Sequence, residues 1–220
     1  MPPLSHPSPN CGPRRGGAQP DLIVLHYTAM QSAQEALARL CDAKAEVSAH
    51  YLIDEAGRVA SLVPEKDRAW HAGAGAWGDV ADVNSRSIGI ELANTGAHPF
   101  PEPQMAALEA LLRAVMGRWA IGPERVIAHS DMAPERKSDP GVRFDWRRLA
   151  RAGLSVWPEP GQAPGDFATD ARRFGYPDVP EDMLLQAFRL RFRPWASGAL
   201  DDQDRALMAD LAARYPAPGV

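Results

Sequence analysis

The sequence lacks the features of several protein classes. Only two of its 220 residues are cysteines, Cys11 and Cys41. Their spacing excludes a CxxC motif and does not indicate a disulfide framework, so a reducing compartment is the simpler interpretation. No apolar run approaches the ~20 residues of a membrane span. The formal net charge is −4, and nucleic-acid binding needs a basic face. We therefore expect neither a membrane span nor a nucleic-acid partner.

The first twenty residues also lack the apolar core of a secretory signal. They are rich in proline, glycine and arginine and show no periodicity, so we interpret residues 1–20 as an irregular lead-in. A lipid anchor at Cys11 is disfavoured, because no apolar run precedes it and Ser8-Pro9-Asn10 stand where small and apolar residues would be expected. These observations favour a cytoplasmic protein.

The remainder has the composition of an ordinary globular protein, with 45% hydrophobic and 24% charged residues. Apolar runs alternate with segments of helical period, which predicts an α/β fold for residues 1–155. The predicted strands are 22–25, 48–53, 59–63, 88–92 and 126–128, and the predicted helices are 32–42, 103–120 and 145–152. Residues 64–87 are rich in glycine and alanine and predict a long loop, which in a compact domain is usually functional.

A change of character follows this α/β region. Residues 156–166 are rich in proline and glycine and are typical of a linker. Beyond them, apolar stripes at helical spacing predict three helices at 167–174, 180–192 and 201–215. Strands mixed with helices before the linker and helices alone after it indicate a separate small helical domain, residues 167–220. We expect this domain to be removable without loss of the α/β fold.

Two histidines and an aspartate form the candidate metal site. His26 and His129 each follow an apolar run, at the end of a predicted strand, and Asp139 lies ten positions after His129. Two imidazoles and one carboxylate are a common ligand set for Zn²⁺ with its fourth position open to water. A lone histidine after a strand is more often a hydrogen-bonded residue of the core or surface, so the prediction of a metal site depends on the three residues together. We expect one Zn²⁺ per chain.

Other candidates lie in the strand at 48–53 and in the long loop. His50 either is a satisfied core histidine or lines the cleft. His71, beside Trp70, either contacts substrate or is structural, and Trp70 either packs or stacks on a sugar. We place His50, His71, Trp70 and Asn84 together as candidate substrate-binding residues.

Six runs in the α/β region resemble a known family, the zinc-dependent N-acetylmuramoyl-L-alanine amidases, which are related in fold to peptidoglycan recognition proteins. The runs are VLHYTA at 24–29, VSAHYL at 47–52, LVPE at 62–65, AWHAG at 69–73, SIGIEL at 87–92 and AHSDMAPERKSDPG at 128–141. Their order is that of the family. The resemblance implies a central mixed β-sheet flanked by helices, and more weakly it implies that residues 167–220 are a peptidoglycan-binding domain.

The resemblance also implies the roles of individual residues. His26, His129 and Asp139 would hold zinc, Glu91 would be the catalytic carboxylate, and Lys137 would stabilise the oxyanion. The implied reaction cleaves the bond between N-acetylmuramic acid and L-alanine in peptidoglycan or muropeptides. Glu91 as a salt-bridged structural carboxylate and Lys137 as a solvated charge are the alternatives.

Two other functions compete with this interpretation. Some members of the family have lost metal ligands and only bind peptidoglycan, whereas here all three positions are filled. A metallopeptidase cutting within the stem peptide would need a motif such as HExxH, which is absent. The sequence leaves open whether anhydro-muramyl substrates are preferred, which oligomeric state the protein has, and whether it serves recycling or wall turnover. A polymer-binding domain would suit a protein of the cell envelope, which is the alternative to a cytoplasmic location.

Overall fold

A computed structural model describes residues 3–219 of the chain. Its strands are β1 (Leu4–Ser5), β2 (Cys11–Pro13), β3 (Leu22–Tyr27), β4 (Tyr51–Ile53), β5 (Val59–Ser61), β6 (Asp67–Ala69), β7 (Ser87–Leu92) and β8 (Val126–Ala128). Its α-helices are α1 (Ala33–Leu40), α2 (Val83–Arg86), α3 (Glu102–Trp119), α4 (His129–Met132), α5 (Trp146–Arg151), α6 (Phe167–Phe174), α7 (Glu181–Phe192) and α8 (Asp202–Arg214).

Six strands form one mixed sheet in the order β1-β5-β4-β7-β3-β8. Strands β4, β7, β3 and β8 are adjacent in the sheet and run parallel to one another. Strand β5 is antiparallel to β4 and forms the predicted hairpin with it. Gly57 has φ 81° in that hairpin, a conformation that favours glycine. The mixed sheet with flanking helices confirms the predicted fold class.

The central strands bury both faces, and their period of two separates two sets of side chains. Ile23 and Leu25 of β3 pack with the isoleucines of β7 and with Leu108 and Leu112 of α3. Leu22 and Val24 point to the opposite face, where they join a second cluster. His26 continues that second set, so the first candidate ligand lies on the face that α3 does not cover.

The C-terminal helices cover part of this second face. Phe174, Phe188 and Phe192 belong to the same buried cluster as Leu22 and Val24. Each of these five side chains is at most 1% exposed. The cluster therefore contains residues from both of the predicted domains.

The sequence pattern alone predicts that the C-terminal helices can be removed without loss of fold, whereas this shared core leads us to expect that their removal disturbs the fold. Trp77 packs edge-to-face on Phe174, with the ring centroids 5.3 Å apart, and the Gly78 amide donates to the Gly175 carbonyl at 2.8 Å. Val156, the first residue of the predicted linker, is itself buried. A proline- and glycine-rich composition shows where regular structure ends, but it does not show whether the following helices are packed independently.

The lead-in and the long loop contain regular structure that the sequence pattern did not predict. Strand β2 in the lead-in pairs antiparallel with β6 in the segment 64–87, and α2 lies in the same segment. Strand β1 adds to the edge of the main sheet through backbone hydrogen bonds. These pieces have two to four residues each, too few to produce a detectable period. No helix between residues 3 and 219 is both long enough and apolar enough to span a membrane.

Candidate active site

The three predicted metal ligands converge at one edge of the sheet. Strands β3 and β8 are parallel neighbours, so their carboxyl ends meet and bring His26 and His129 together. Nδ1 of His26 lies 2.9 Å from Nδ1 of His129, and Asp139 Oδ2 lies 3.0 Å from each of these nitrogens. The loop after α4 returns to this point, since the Ser130 amide donates to the Asp139 carbonyl at 3.0 Å.

The surroundings favour an anionic Asp139 and a neutral His26. All three side chains are buried. Burial, followed by the proximity of His129, lowers the pKa of His26 to about 4. Burial acts to raise the pKa of Asp139, but the short contacts of its carboxylate with the two histidine rings outweigh burial and hold that pKa below its ordinary value. Neutral imidazoles and an ionised carboxylate are the protonation states that bind a metal.

The hydrogen-bonding roles of this set leave room for a cation. His129 Nε2 lies 2.9 Å from the Ala72 carbonyl, which only accepts, so Nε2 carries the hydrogen and a neutral ring has its lone pair at Nδ1. That lone pair and the Asp139 carboxylate are two acceptors that face one another at 3.0 Å. A cation between them relieves the repulsion, and the donor set is one that Zn²⁺ prefers.

A cleft of about 400 Å³ opens above these ligands, a size typical of ligand-binding sites. Besides the ligands, its lining includes Trp70, Glu91, Arg136 and Lys137. Carboxylate, ammonium and guanidinium groups thus share one concave space with the candidate metal site, which suits hydrolysis of a polar substrate.

Glu91 lies beside His26 on the neighbouring strand, where the two residues are register partners. Its Oε2 atom is buried and has no hydrogen-bond partner among residues 3–219. Burial, and next the charge of Asp139, raise the pKa of Glu91 to about 8, while Lys137 acts in the opposite direction. A cation in the ligand set lowers this pKa, because it stabilises the ionised carboxylate. Buried and unpartnered carboxylates in clefts are frequent catalytic groups.

Lys137 and Arg136 stand at the rim of the cleft. Lys137 is exposed, and its backbone amide donates to the Ala133 carbonyl at 3.1 Å. Arg136 donates to the carbonyls of Ala72 and Ala74 and so holds the loop that carries His71. Sequence reasoning missed Arg136, although it precedes Lys137 in the same motif.

The four candidate substrate-binding residues differ in their surroundings. Trp70 is partly buried and lines the cleft. His50 is fully buried, accepts from the Gly89 amide at 3.0 Å and lies 3.1 Å from the Asp67 carbonyl. Burial lowers its pKa to about 3, so its surroundings are those of the core alternative.

The other two candidates are joined to each other. The Asn84 side chain accepts from the amides of His71 and Ala72 at 3.0 and 2.9 Å. His71 is 9% exposed, and its two ring nitrogens lie within hydrogen-bonding distance of His26 and Ser87. Substrate contact by Asn84 and His71 stays a prediction. Sequence reasoning missed Ser87, because a lone serine at the start of a strand carries no signal.

Comparison with known proteins agrees with this geometry. The family model described as N-acetylmuramoyl-L-alanine amidase matches residues 16–142, which include all three candidate ligands, Glu91 and Lys137. The N-acetylmuramoyl-L-alanine amidase AmiD of Escherichia coli K12 is 36% identical over 232 aligned residues, covering 88% of this chain and 83% of AmiD.

One further relative and one solved structure cover different shares of the chain. The 1,6-anhydro-N-acetylmuramyl-L-alanine amidase AmpD of Enterobacter cloacae is 42% identical over 103 residues, which is 47% of this chain and 55% of AmpD. A solved complex of AmiD from E. coli with anhydro-N-acetylmuramic acid-L-Ala-D-γ-Glu-L-Lys has a TM-score of 0.81 and 33% identity. That likeness covers 96% of this chain and 93% of AmiD, so it extends through the C-terminal helices.

Proposed function

The chain belongs to the N-acetylmuramoyl-L-alanine amidase family, and from this premise we propose that it is a zinc-dependent hydrolase of muropeptides. The bond cleaved joins the lactyl group of N-acetylmuramic acid, or of its anhydro form, to L-alanine. The observation that carries the proposal is the convergence of His26, His129 and Asp139 within 3.0 Å of one another in a cleft that also contains Glu91.

His26 Nδ1, His129 Nδ1 and one carboxylate oxygen of Asp139 would hold one Zn²⁺. When bound, zinc supplies a Lewis acid that polarises a carbonyl and lowers the pKa of a water toward ~7. The Ala72 carbonyl, which accepts from His129 Nε2, keeps the His129 ring in the tautomer that binding needs. Burial of the three side chains protects the set from competing hydrogen bonds with solvent.

Glu91 acts as the general base. Its Oε2 has no hydrogen-bond partner in the described part of the chain, so it is free to accept a proton from the attacking water and to pass that proton to the leaving amine of L-alanine. A cation in the ligand set would lower the raised pKa of Glu91 toward the working pH, and a carboxylate with a pKa near the working pH accepts and releases a proton with similar ease.

Lys137 stabilises the developing oxyanion. Its side chain lines the cleft, and no carboxylate of residues 3–219 is within ion-pair distance of its ammonium. A positive charge that meets an anion only in the transition state lowers the barrier without tightening substrate binding.

The anhydro form is the substrate named with the related proteins AmiD and AmpD, and it supports the same class of substrate for this chain. A non-catalytic peptidoglycan-binding protein is the alternative. It is disfavoured because a module that only binds has no need of three converging ligands and a buried carboxylate without a partner. The helices of residues 167–220 remain our candidate for a glycan-binding unit.

The test is product analysis by mass spectrometry on one defined muropeptide. We expect free stem peptide and free muramic sugar from zinc-loaded protein, no turnover after chelation, and recovery when zinc is restored. Asp139→Ala should lose both bound zinc and turnover. His98→Ala is the matched control, because His98 is exposed and does not line the cleft. Full zinc content and full turnover in Asp139→Ala would contradict the proposal.

A further inference from the structure

A third histidine, His71, lies directly behind the candidate metal site. Nδ1 of His71 lies 3.0 Å from Nε2 of His26, the nitrogen that faces away from the other ligands. The two rings are nearly perpendicular, with an interplanar angle of 80°. His71 is therefore placed to form a hydrogen bond with the back of a ligand rather than to be a ligand itself.

The direction of the hydrogen bond between His71 and His26 follows from the Val83 carbonyl, which is connected to His71 through Ser87. The Ser87 hydroxyl lies 2.5 Å from the Val83 carbonyl, and a carbonyl only accepts, so the single hydroxyl hydrogen of Ser87 points there. The Ser87 oxygen is then an acceptor for its other neighbour, His71 Nε2, at 3.1 Å. Hence Nε2 of His71 carries the hydrogen.

The position of the hydrogen on His71 determines the tautomer of His26. A neutral His71 with its hydrogen on Nε2 has a lone pair at Nδ1, which accepts from Nε2–H of His26. A neutral His26 with its hydrogen on Nε2 has its own lone pair at Nδ1, the atom that faces His129 and Asp139. Each donor in the chain from His26 to Val83 has one acceptor.

We propose that His71 is a positioning residue for the metal site: with Ser87 and the Val83 carbonyl, it fixes the ring orientation and tautomer of His26. The inference rests on the proposed function, because it assigns Nδ1 of His26 to zinc. Outer hydrogen bonds of this kind orient metal-binding histidines and raise their basicity.

The fold builds a place for the His71 ring. A Cβ atom added to Gly89 would lie 2.4 Å from Cγ of His71, so a side chain at position 89 would exclude the ring. Ser87, Gly89 and Glu91 alternate along β7 and share one face. On that face, Ser87 accepts from His71, Gly89 leaves space for the His71 ring, and Glu91 is the proposed base.

The backbone around His71 is held as firmly as its ring. Asn84 accepts from the amides of His71 and Ala72, and the Ala72 carbonyl accepts from His129 Nε2. Two consecutive residues of one loop therefore support the two histidine ligands, one through a side chain and one through the backbone. Both ring nitrogens of His71 thus have protein partners.

The direct test is nuclear magnetic resonance of protein with ¹⁵N-labelled imidazoles, recorded metal-free and with one equivalent of zinc. We expect His71 to be the neutral Nε2–H tautomer in both states and His26 to be the Nε2–H tautomer with zinc bound. An Nδ1–H tautomer or an imidazolium at His71 would overturn the inference, because either places a hydrogen where His26 must donate.

The second test measures zinc affinity by competition with a chromophoric chelator. His71→Phe keeps a ring of similar volume but removes the acceptor, and loss of such a contact costs about 10–100-fold in metal affinity. His71→Asn keeps an acceptor close to the Nδ1 position and should recover part of the loss. His50→Phe is the control, because His50 is also buried and, within residues 3–219, makes no hydrogen bond to a candidate ligand.

The outcomes separate the two proposals. Zinc bound by wild type and equally well by His71→Phe, or an equal loss in His50→Phe, overturns the positioning role alone. Wild-type protein that binds no zinc overturns the proposed function as well. Ser87→Ala serves if His71→Phe does not fold: it removes one oxygen atom, and we expect a mixture of His71 tautomers and weaker zinc binding.

Discussion

Arg191 offers the sharpest test of how the C-terminal helices are joined to the rest of the protein. Its guanidinium is 1% exposed and donates to the Asp131 carboxylate, to the Val126 carbonyl at 3.0 Å and to the Ser155 hydroxyl at 3.1 Å. Asp131 also accepts from the Tyr176 hydroxyl and the Ala128 amide, both at 2.8 Å. The substitution Arg191→Met keeps the apolar stem but removes the charge and its hydrogen bonds.

The expected cost is large, because Asp131 is 0% exposed and would lose its only charged partner in the described residues. Breaking a buried ion pair from one side costs about 3–5 kcal/mol. The stacking of the guanidinium on Trp146, 4.4 Å from the ring centroid, adds roughly 0.5–2 kcal/mol. We therefore expect a loss of about 4–6 kcal/mol from a total stability on the order of 5–15 kcal/mol.

The control is the double variant Asp131→Asn with Arg191→Met, which also removes the stranded charge. Its amide oxygen can accept from the Ala128 amide while its amide nitrogen donates to the Tyr176 hydroxyl. We expect the double variant to be more stable than the single one by about 2 kcal/mol. The assay is urea unfolding of metal-free protein, since bound zinc would add its own stabilisation. A single variant that loses under about 1 kcal/mol, or a double variant no more stable than it, would refute the reasoning.

Four further expectations address the site and the fold. Glu91→Gln should keep zinc and fold but lower kcat by ~10²-fold or more; a near-wild-type kcat in steady-state kinetics would return Glu91 to a structural role. Lys137→Ala should lower kcat with little change in KM, whereas a raised KM would indicate substrate anchoring. Deletion of residues 156–220 should give insoluble protein, because it exposes Leu22, Val24 and Trp77, and burial of each side chain contributes roughly 1.5–3 kcal/mol to stability. A soluble fragment with a cooperative unfolding transition would disprove this. The pKa of His50 is about 3 in the folded protein and about 6.5 in the unfolded chain, so the unfolded chain is protonated first and the free energy of unfolding falls as the pH decreases from about 6.5 to 3. Between pH 7 and 5, the free energy of unfolding of His50→Phe should therefore fall by about 2 kcal/mol less than that of wild type. Equal losses would contradict burial of a neutral His50.

The sequence predicted which three side chains would converge, because each candidate ligand had an independent local signal. His26 and His129 follow apolar runs that form β3 and β8, and residues that end parallel strands meet at one edge. Asp139 was found through the motif in which it stands. Glu91 was predicted as the one charged residue of an apolar strand, a position that is costly without a partner.

The parts that the sequence did not predict depend on contacts between distant segments. The role of Ser87 arises only when β7 brings it against His71, sixteen residues earlier in the chain. The pairing of β2 with β6 joins two irregular segments through backbone atoms, which leave no trace in side-chain pattern. Burial of Arg191 was equally hidden, since arginine on an amphipathic helix normally faces solvent.

These distant contacts converge on the segment that carries His129. Helix α4 begins with that ligand, and its third residue, Asp131, accepts from the Ala128 amide at the end of β8. The same carboxylate accepts hydrogen bonds from Tyr176 and Arg191 of the C-terminal region. A change in the C-terminal helices is therefore transmitted by two hydrogen bonds to the turn that sets the position of His129. If this is correct, Arg191→Met should weaken zinc binding as well as stability, although its guanidinium does not line the catalytic cleft. Undiminished zinc affinity in the folded variant would show that β8 alone positions the ligand.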